Sequence, residues 1–330
     1  MKALVYINKE TLSYREETDL IPNNDENLIK VNASGICGSD MHAYHGLDER
    51  RVPPLILGHE ISGLDTSNKS PVVINPLITC MKCENCLIGR EHICINRGLL
   101  GMSKPVKRNG SFAEYVNVPK RNILKVPKIS NLQHLALTEP TAVAYHAIKI
   151  SEKISFIPIQ KSKILIIGGG AIGLLISLIL QLKESKNITI IDTNKKRLDV
   201  CQKASNCLIS HPDDIKIKNN DYDIVFDAVG FSITRKKSIL SVKQGGAIIH
   251  IGLSEPAGDF DFRKTTLQEI TLIGTYCYTN KDFRSSLDML IANKLGDLSW
   301  LDFRPLKDGA NAFREIHDNT TSSPKIILLP

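Results

Sequence analysis

Between Ile164 and Leu182 the chain runs for 19 residues without a charge, and the way that stretch is broken decides what it can fold into. Its length approaches a membrane span. Gly168, Gly169, Gly170 and Gly173 fall inside it, however, and would weaken a helix centred there. A strand at Ile164–Ile167, a glycine turn and a helix at Ile172–Leu182 account for it better, so no membrane segment is expected. The turn, Gly168-Gly169-Gly170-Ala171-Ile172-Gly173, has the G-x-G-x-x-G spacing that permits a tight bend and brings the backbone close to a pyrophosphate at a helix N-terminus. Asp192 ends the next expected strand, 19 positions beyond Gly173, where an acid accepts ribose hydroxyls. Gly168, Gly170, Ile172, Gly173 and Asp192 are therefore candidate dinucleotide-binding residues. The acid would repel a 2′-phosphate, which favours NAD over NADP. Lys195, Lys196 and Arg197 follow at once. They suit either a 2′-phosphate or a solvated helix start, and Arg197 could also pack on the adenine face.

The chain has 330 residues, which implies about two domains. Its 42% apolar and 23% charged residues exclude a disordered or fibrous protein. The formal charge of +7 is scattered, whereas a nucleic-acid binder concentrates it on one face, so no nucleic-acid partner is expected. The apolar run after Met1 is too short for a signal-peptide core, which points to the cytoplasm. Up to about Asn131 the pattern is of strands and loops, with strands at Ala3–Ile7, Leu28–Ala33, Val72–Ile74 and Phe112–Val118. Leu132–Ile150 has helical spacing, interrupted by Pro140. From Lys163 onward come strands at Ile164–Ile167, Ile188–Ile191, Ile224–Val229, Ala247–Ile251 and Thr271–Gly274, with helices at Ile172–Leu182 and Lys195–Ala204 among them. That alternation predicts a doubly wound parallel sheet. A helix at Phe283–Asn293 and a strand at Lys325–Leu329 follow.

Eight cysteines in a chain of this size without a signal peptide point to metal rather than disulfides. Cys80, Cys83, Cys86 and Cys94 are spaced to surround one tetrahedral ion, and Zn2+ with four sulfurs is a closed structural site. An iron–sulfur cluster is the rival; its bacterial signature has a shorter last gap and a following proline, which is absent after Cys94. His92 could substitute as a ligand or be an exposed loop histidine. Cys201, Cys207 and Cys277 have no evident partner. Cys37, in Gly35-Ile36-Cys37-Gly38-Ser39-Asp40-Met41-His42, could join His59 and Glu60 of Gly58-His59-Glu60, and Glu139 of Glu139-Pro140, in a mixed-ligand zinc site with an open position. Spacing alone leaves that second site open.

Taken together, these segments resemble the zinc-dependent medium-chain dehydrogenases, the superfamily of alcohol, sorbitol and threonine dehydrogenases. The segments around Cys37 and Glu139 most resemble its polyol branch. The resemblance implies a GroES-like β-rich catalytic domain (residues 1–137 with 281–330) and an inserted Rossmann domain (residues 138–280). It also implies two zinc ions. Cys37, His59 and Glu139 would be ligands of the catalytic one, Glu139 directly or through water. Glu60 would be a ligand or an exchanging neighbour, and Cys80, Cys83, Cys86 and Cys94 would hold the structural ion. Ser39 and His42 match a proton relay, and Asp40 a position that orients His59. The implied activity is oxidation of a secondary alcohol, a polyol or sugar alcohol, to a ketone with hydride transfer to NAD. Alternatives are a phosphorylated sugar alcohol, a β-hydroxy amino acid, or a zinc-free reductase on the same scaffold. The partners implied are a small-molecule alcohol or ketone and copies of the chain itself, as a homodimer or homotetramer. Two features depart from the family. The hairpin after Gly63 is shortened to Leu64–Ser70, which leaves its packing open. Cys277 stands where sorbitol dehydrogenases carry an arginine.

Overall fold

The computed structural model describes residues 1–128, 131–212, 214 and 218–330. The uncharged stretch resolves as a fully buried strand, Ile164–Ile167, and a helix, Ala171–Leu182. β-branched residues suit a strand covered on both faces, and this one lies inside a six-stranded parallel sheet. The spatial order is 208–210, 188–191, 164–167, 222–227, 242–250 and 271–274. The order changes direction between 164–167 and 222–227, and open α/β sheets bind ligands at the carboxyl ends beside such a switch. The strand Leu208–Ser210 and the helices Ser232–Ser241, Phe262–Leu267 and Gly309–His317 were not legible in the sequence. Ser232–Ser241 shows why: it buries only Ser238, Ile239 and Ser241, too few apolar positions to mark a period.

A second sheet joins both ends of the chain. Its order is 123–125, 71–74, 60–65, 26–35, 325–329 and 301–305, with 115–119 also paired to 26–35. The last strand, Lys325–Leu329, runs antiparallel to Glu26–Gly35, with Ile327 opposite Gly35 and Leu328 opposite Ser34. Between the sheets lies the helix Thr138–Ile154, preceded by a 3-10 turn, Leu132–Leu137. Pro140 does not interrupt this helix as expected. It occupies the first turn, where a missing N–H removes no helical hydrogen bond. One apolar cluster runs from Ala33 and Ile327 through Leu137, Ala142 and Ile148 to Ile164, Leu174 and Ile190, so the helix cements the two sheets. The shortened hairpin packs normally, with Leu64 paired to Pro71. The Asp65 carboxylate closes it, accepting from Ser67 N and Oγ at 3.0 and 2.7 Å and from Asn27 Nδ2 at 2.8 Å. Among the described residues no helix is long and apolar enough to cross a membrane.

Candidate active site

The glycine turn sits at the carboxyl end of Ile164–Ile167. Gly168 has φ +102°, and a Cβ there would lie 2.6 Å from Val229 Cγ2. A Cβ on Gly173 would lie 1.9 Å from the Gly168 carbonyl oxygen, so only glycine lets the helix start this close to the strand. Gly170 caps the helix Ala171–Leu182, and a Cβ there would meet nothing within 4 Å, which leaves space over the helix N-terminus. Ile172 lies in the first turn of that helix, half-buried. Asp192 accepts from Gly169 N and from Asn194 N, both at 2.7 Å. Arg197 Nη1 is 3.5 Å from Asp192 Oδ2, and its Nη2 donates to Asn319 Oδ1 at 3.1 Å. The cation beside Asp192 is thus already engaged.

The four cysteines converge. The Sγ atoms of Cys80, Cys83, Cys86 and Cys94 all lie within 4.8 Å of one another. Backbone N–H groups of Cys80, Cys83 and Asn96 point at sulfur at 3.4 Å, as donors to thiolates would. Backbone donors pull the Cys80 thiol down to about 6, and burial pushes Cys86 up to about 12. Four thiols in this space need a cation to carry more than one negative charge, and a tetrahedral ion fits them. His92 is neither an exposed loop residue nor a fifth donor in this group. It is buried against His146, ring centroids 4.8 Å apart, and burial lowers it to about 4. His146 Nδ1 meets Asp282 Oδ2 at 2.7 Å, tying the cysteine lobe to the helices Thr138–Ile154 and Asn280–Ile291.

The dispersed candidates lie on three different elements and interact pairwise through His59, whereas among the described residues only the four cysteines already bring their ligand atoms together for one ion. Cys37 caps the short helix Gly38–Tyr44, His59 precedes the strand Glu60–Asp65, and Glu139 is in the first turn of Thr138–Ile154. Ser39 Oγ is 3.4 Å from His59 Nε2. Asp40 Oδ1 is 3.5 Å from His59 Nδ1, and Asp40 Oδ2 accepts from Cys37 N at 3.1 Å. Burial opposes a charge on His59, but Asp40 and Cys37 beside it raise it well above its ordinary value. Burial pushes Glu139 up to about 7, against the pull of His59. A half-buried thiol beside a buried imidazole, and a buried carboxyl within that imidazole's influence, form a donor set suited to Zn2+. Glu60 is held in a buried ion pair. Both its oxygens accept from the buried Lys325 Nζ, at 2.6 and 2.9 Å, and that nitrogen also donates to Ile36 O at 2.7 Å. Cys277, with φ +47°, packs against Leu77, Leu99 and Met102; burial, then the charge of Glu139, pushes its thiol up to about 12.

A cavity of about 610 Å3 connects the two sheets. Ser39 and His42 line one side; Asp227, His250 and Gly252, at the carboxyl ends of the parallel strands, line the other. Burial lowers the His42 imidazole below its ordinary value. Lys325, bonded to Glu60, and Arg51, bonded to Ser39, leave no mark in the sequence. A lysine beginning the apolar strand Lys325–Leu329 reads as a solvated strand end, and Arg51 reads as one of two surface cations.

Residues 23–128 match the alcohol dehydrogenase GroES-like domain, and residues 171–292 match the zinc-binding dehydrogenase domain. The L-threonine 3-dehydrogenase of Streptomyces coelicolor is 31% identical over 299 residues, 84% of each chain. The (R,R)-butanediol dehydrogenase of Saccharomyces cerevisiae is 28% identical, covering 100% of this chain and 98% of its own. The crystal structure of L-idonate 5-dehydrogenase from Escherichia coli superposes with a TM-score of 0.89 at 24% identity, covering 100% of this chain and 98% of that one.

Proposed function

The chain belongs to the zinc-dependent medium-chain dehydrogenases, and from that premise we propose that it oxidises a secondary alcohol, of the polyol or sugar-alcohol class, to a ketone with hydride transfer to NAD. One observation supports the reading: Ser39, whose Oγ lies 3.4 Å from His59 Nε2, lines a cavity that also reaches the carboxyl ends of the parallel sheet, and His59 in turn interacts with Cys37 and Glu139. The names of the three relatives point to secondary alcohols flanked by a further polar group, which supports the substrate class. Residues 1–137 with 281–330 form the catalytic domain of this reading, and residues 138–280 the cofactor domain. All eight cysteines are free, as suits a reducing cytoplasm, where the chain works as a homodimer or homotetramer.

When bound, zinc supplies Lewis-acid polarisation of the substrate hydroxyl, and the nicotinamide supplies the hydride acceptor. Cys37, His59 and Glu139 would hold the catalytic ion, and Cys80, Cys83, Cys86 and Cys94 the structural one. Glu60, clamped by Lys325, would be an anchored neighbour of that ion. Asp40 fixes the orientation of His59 from behind. Ser39 Oγ takes up the proton released by the alcohol and passes it toward His42. The lowered basicity of His42 keeps the ring neutral at pH 7 and lets it return the proton to solvent. Gly168, Gly170, Ile172 and Gly173 cradle the pyrophosphate. Asp192 takes the ribose hydroxyls, and because Arg197 is tied to Asp192 and Asn319, NAD is preferred to NADP.

A panel of vicinal diols, sugar alcohols, β-hydroxy amino acids, simple secondary alcohols and sugar-alcohol phosphates, followed with NAD and NADP at the absorbance of the reduced cofactor, tests this. Turnover of diols or sugar alcohols with NAD, lost on zinc chelation, is the expected result. Turnover surviving chelation, or confined to quinones or enals, would contradict it.

A further inference from the structure

Arg51 is the largest fully buried side chain, and its guanidinium has no exposed surface. An arginine withdrawn from water needs partners for its five N–H donors. Nε donates to Gly101 O at 3.2 Å, Nη1 to the Asp48 carboxylate, and Nη2 to Ser39 Oγ at 3.2 Å. Asp48 does not answer Arg51 alone. It also accepts from Arg50 N and Nε at 2.9 Å and from Arg50 Nη2 at 3.1 Å, so one carboxylate faces two guanidinium groups. Positive charge is therefore left beside Ser39.

We propose that Arg51 is a positioning residue for the Ser39 step of proton transfer. Ser39 Oγ has two lone pairs and one hydrogen. Its neighbours are Arg51 Nη2, which can only donate, and His59 Nε2 at 3.4 Å. Once the Nε2 lone pair is committed to a metal, it can no longer accept from the hydroxyl. Arg51 then occupies one serine lone pair. The other lone pair and the hydrogen are left to the cavity side, where one proton arrives and another departs. Arg51 thus fixes the side-chain direction of Ser39 and sets its charge next to an oxygen that becomes more negative as its own hydrogen leaves toward His42, ahead of the alcohol's proton arriving. The contact spans residues 39 and 51, and Gly101, the third partner, lies in a loop at φ +75° where a Cβ would come within 3.2 Å of Gly58 N. The guanidinium is thus anchored to a loop that packs closely on Gly58, the residue before His59.

This inference rests on the relay assigned to Ser39, and the test separates the two. Ser39→Ala, Arg51→Lys and the double variant are compared by kcat, KM, solvent deuterium isotope effect, zinc content and Tm. Arg51→Lys keeps the charge but loses the planar fork that reaches Asp48, Gly101 and Ser39 together. The expected result is a kcat lowered by about 10–100-fold, with KM for the alcohol within about threefold, zinc content unchanged and a larger solvent isotope effect. The Arg51 loss should largely vanish when Ser39 is already alanine, because residues acting as one unit are not additive. Should that variant fail to fold, the cycle is run with Arg51→Gln, which leaves Asp48 to Arg50 and should show the same non-additivity. Losses that multiply in the double variant, or an Arg51 variant with wild-type kcat and isotope effect, would overturn the inference while leaving the relay intact. Wild-type kcat and isotope effect in Ser39→Ala would remove the relay itself, and the inference with it.

Discussion

The two cysteine-bearing regions are built on opposite principles. In the lobe, Cys80, Cys83, Cys86 and Cys94 fall within one short segment, and the local backbone alone brings their sulfurs within 4.8 Å. In the cleft, Cys37, His59 and Glu139 come from a helix cap, the approach to a strand and a helix first turn. They meet only because the sheet holding Gly35 and Glu60 as opposite partners packs on the helix Thr138–Ile154. The difference teaches where each role belongs. A local clip can saturate a metal with four thiolates and close it off. A constellation drawn from separate elements can leave a side open, and here Ser39, with its Oγ 3.4 Å from His59 Nε2, lines the cavity shared with the parallel sheet.

The largest effect is expected from Cys37→Ser beside Cys83→Ser. The first should cut turnover by about a thousandfold or more with the lobe zinc kept, as loss of a group essential to catalysis does. The second should lose the lobe zinc and lower Tm, because metal affinity in such clips is folding free energy. Metal analysis with steady-state kinetics distinguishes them, and equal activity losses would erase the contrast. Next, Lys325→Met strands the Glu60 carboxylate in a dry site. Urea unfolding should show a loss of about 3–5 kcal/mol, the usual consequence of breaking a buried pair from one side. A loss below about 1 kcal/mol would mean that water reaches Glu60.

Smaller still is the acid response of the lobe's anchor. His92 is held neutral, lowered from 6.5 to about 4 by burial. A histidine depressed in the fold contributes its full stability above its unfolded value and loses it as pH falls from about 6.5 toward 4. The loss should be on the order of 3 kcal/mol or less. His92→Gln should flatten that part of the stability–pH curve, and an unchanged slope would show that other groups cause it. Smallest is Asp192→Ala, which should lower the ratio of kcat/KM for NAD over NADP by about tenfold, the equivalent of 1.4 kcal/mol. An unchanged ratio would place cofactor choice elsewhere.

Legibility in the sequence followed the same divide. The strand Ile164–Ile167, its glycine turn and Asp192 are written contiguously, so periodicity and spacing place them within a residue of where they lie. The lobe could be read from spacing for the same reason. The catalytic set proposed here is suggested only by resemblance, because no local pattern links Cys37 to Glu139 across about a hundred residues. Lys325 and Arg51 left no signal at all. What makes them special is burial, and burial is a property of the packed sheets: Lys325 is dry because its strand lies against Glu26–Gly35 and inward toward Glu60. His92 was misjudged for a related reason. A histidine beside charged residues looks exposed until His146, from a distant helix, covers it.

The central claim is that a second, open zinc site exists in the cleft and does the chemistry. Zinc per chain, measured by mass spectrometry of elemental content in wild type and in His59→Ala, tests it most directly. The account predicts two ions in the wild type and one in the variant, with alcohol-dependent NAD reduction abolished and the thermal transition nearly unchanged. Two ions retained in His59→Ala, or turnover persisting with one, would contradict it.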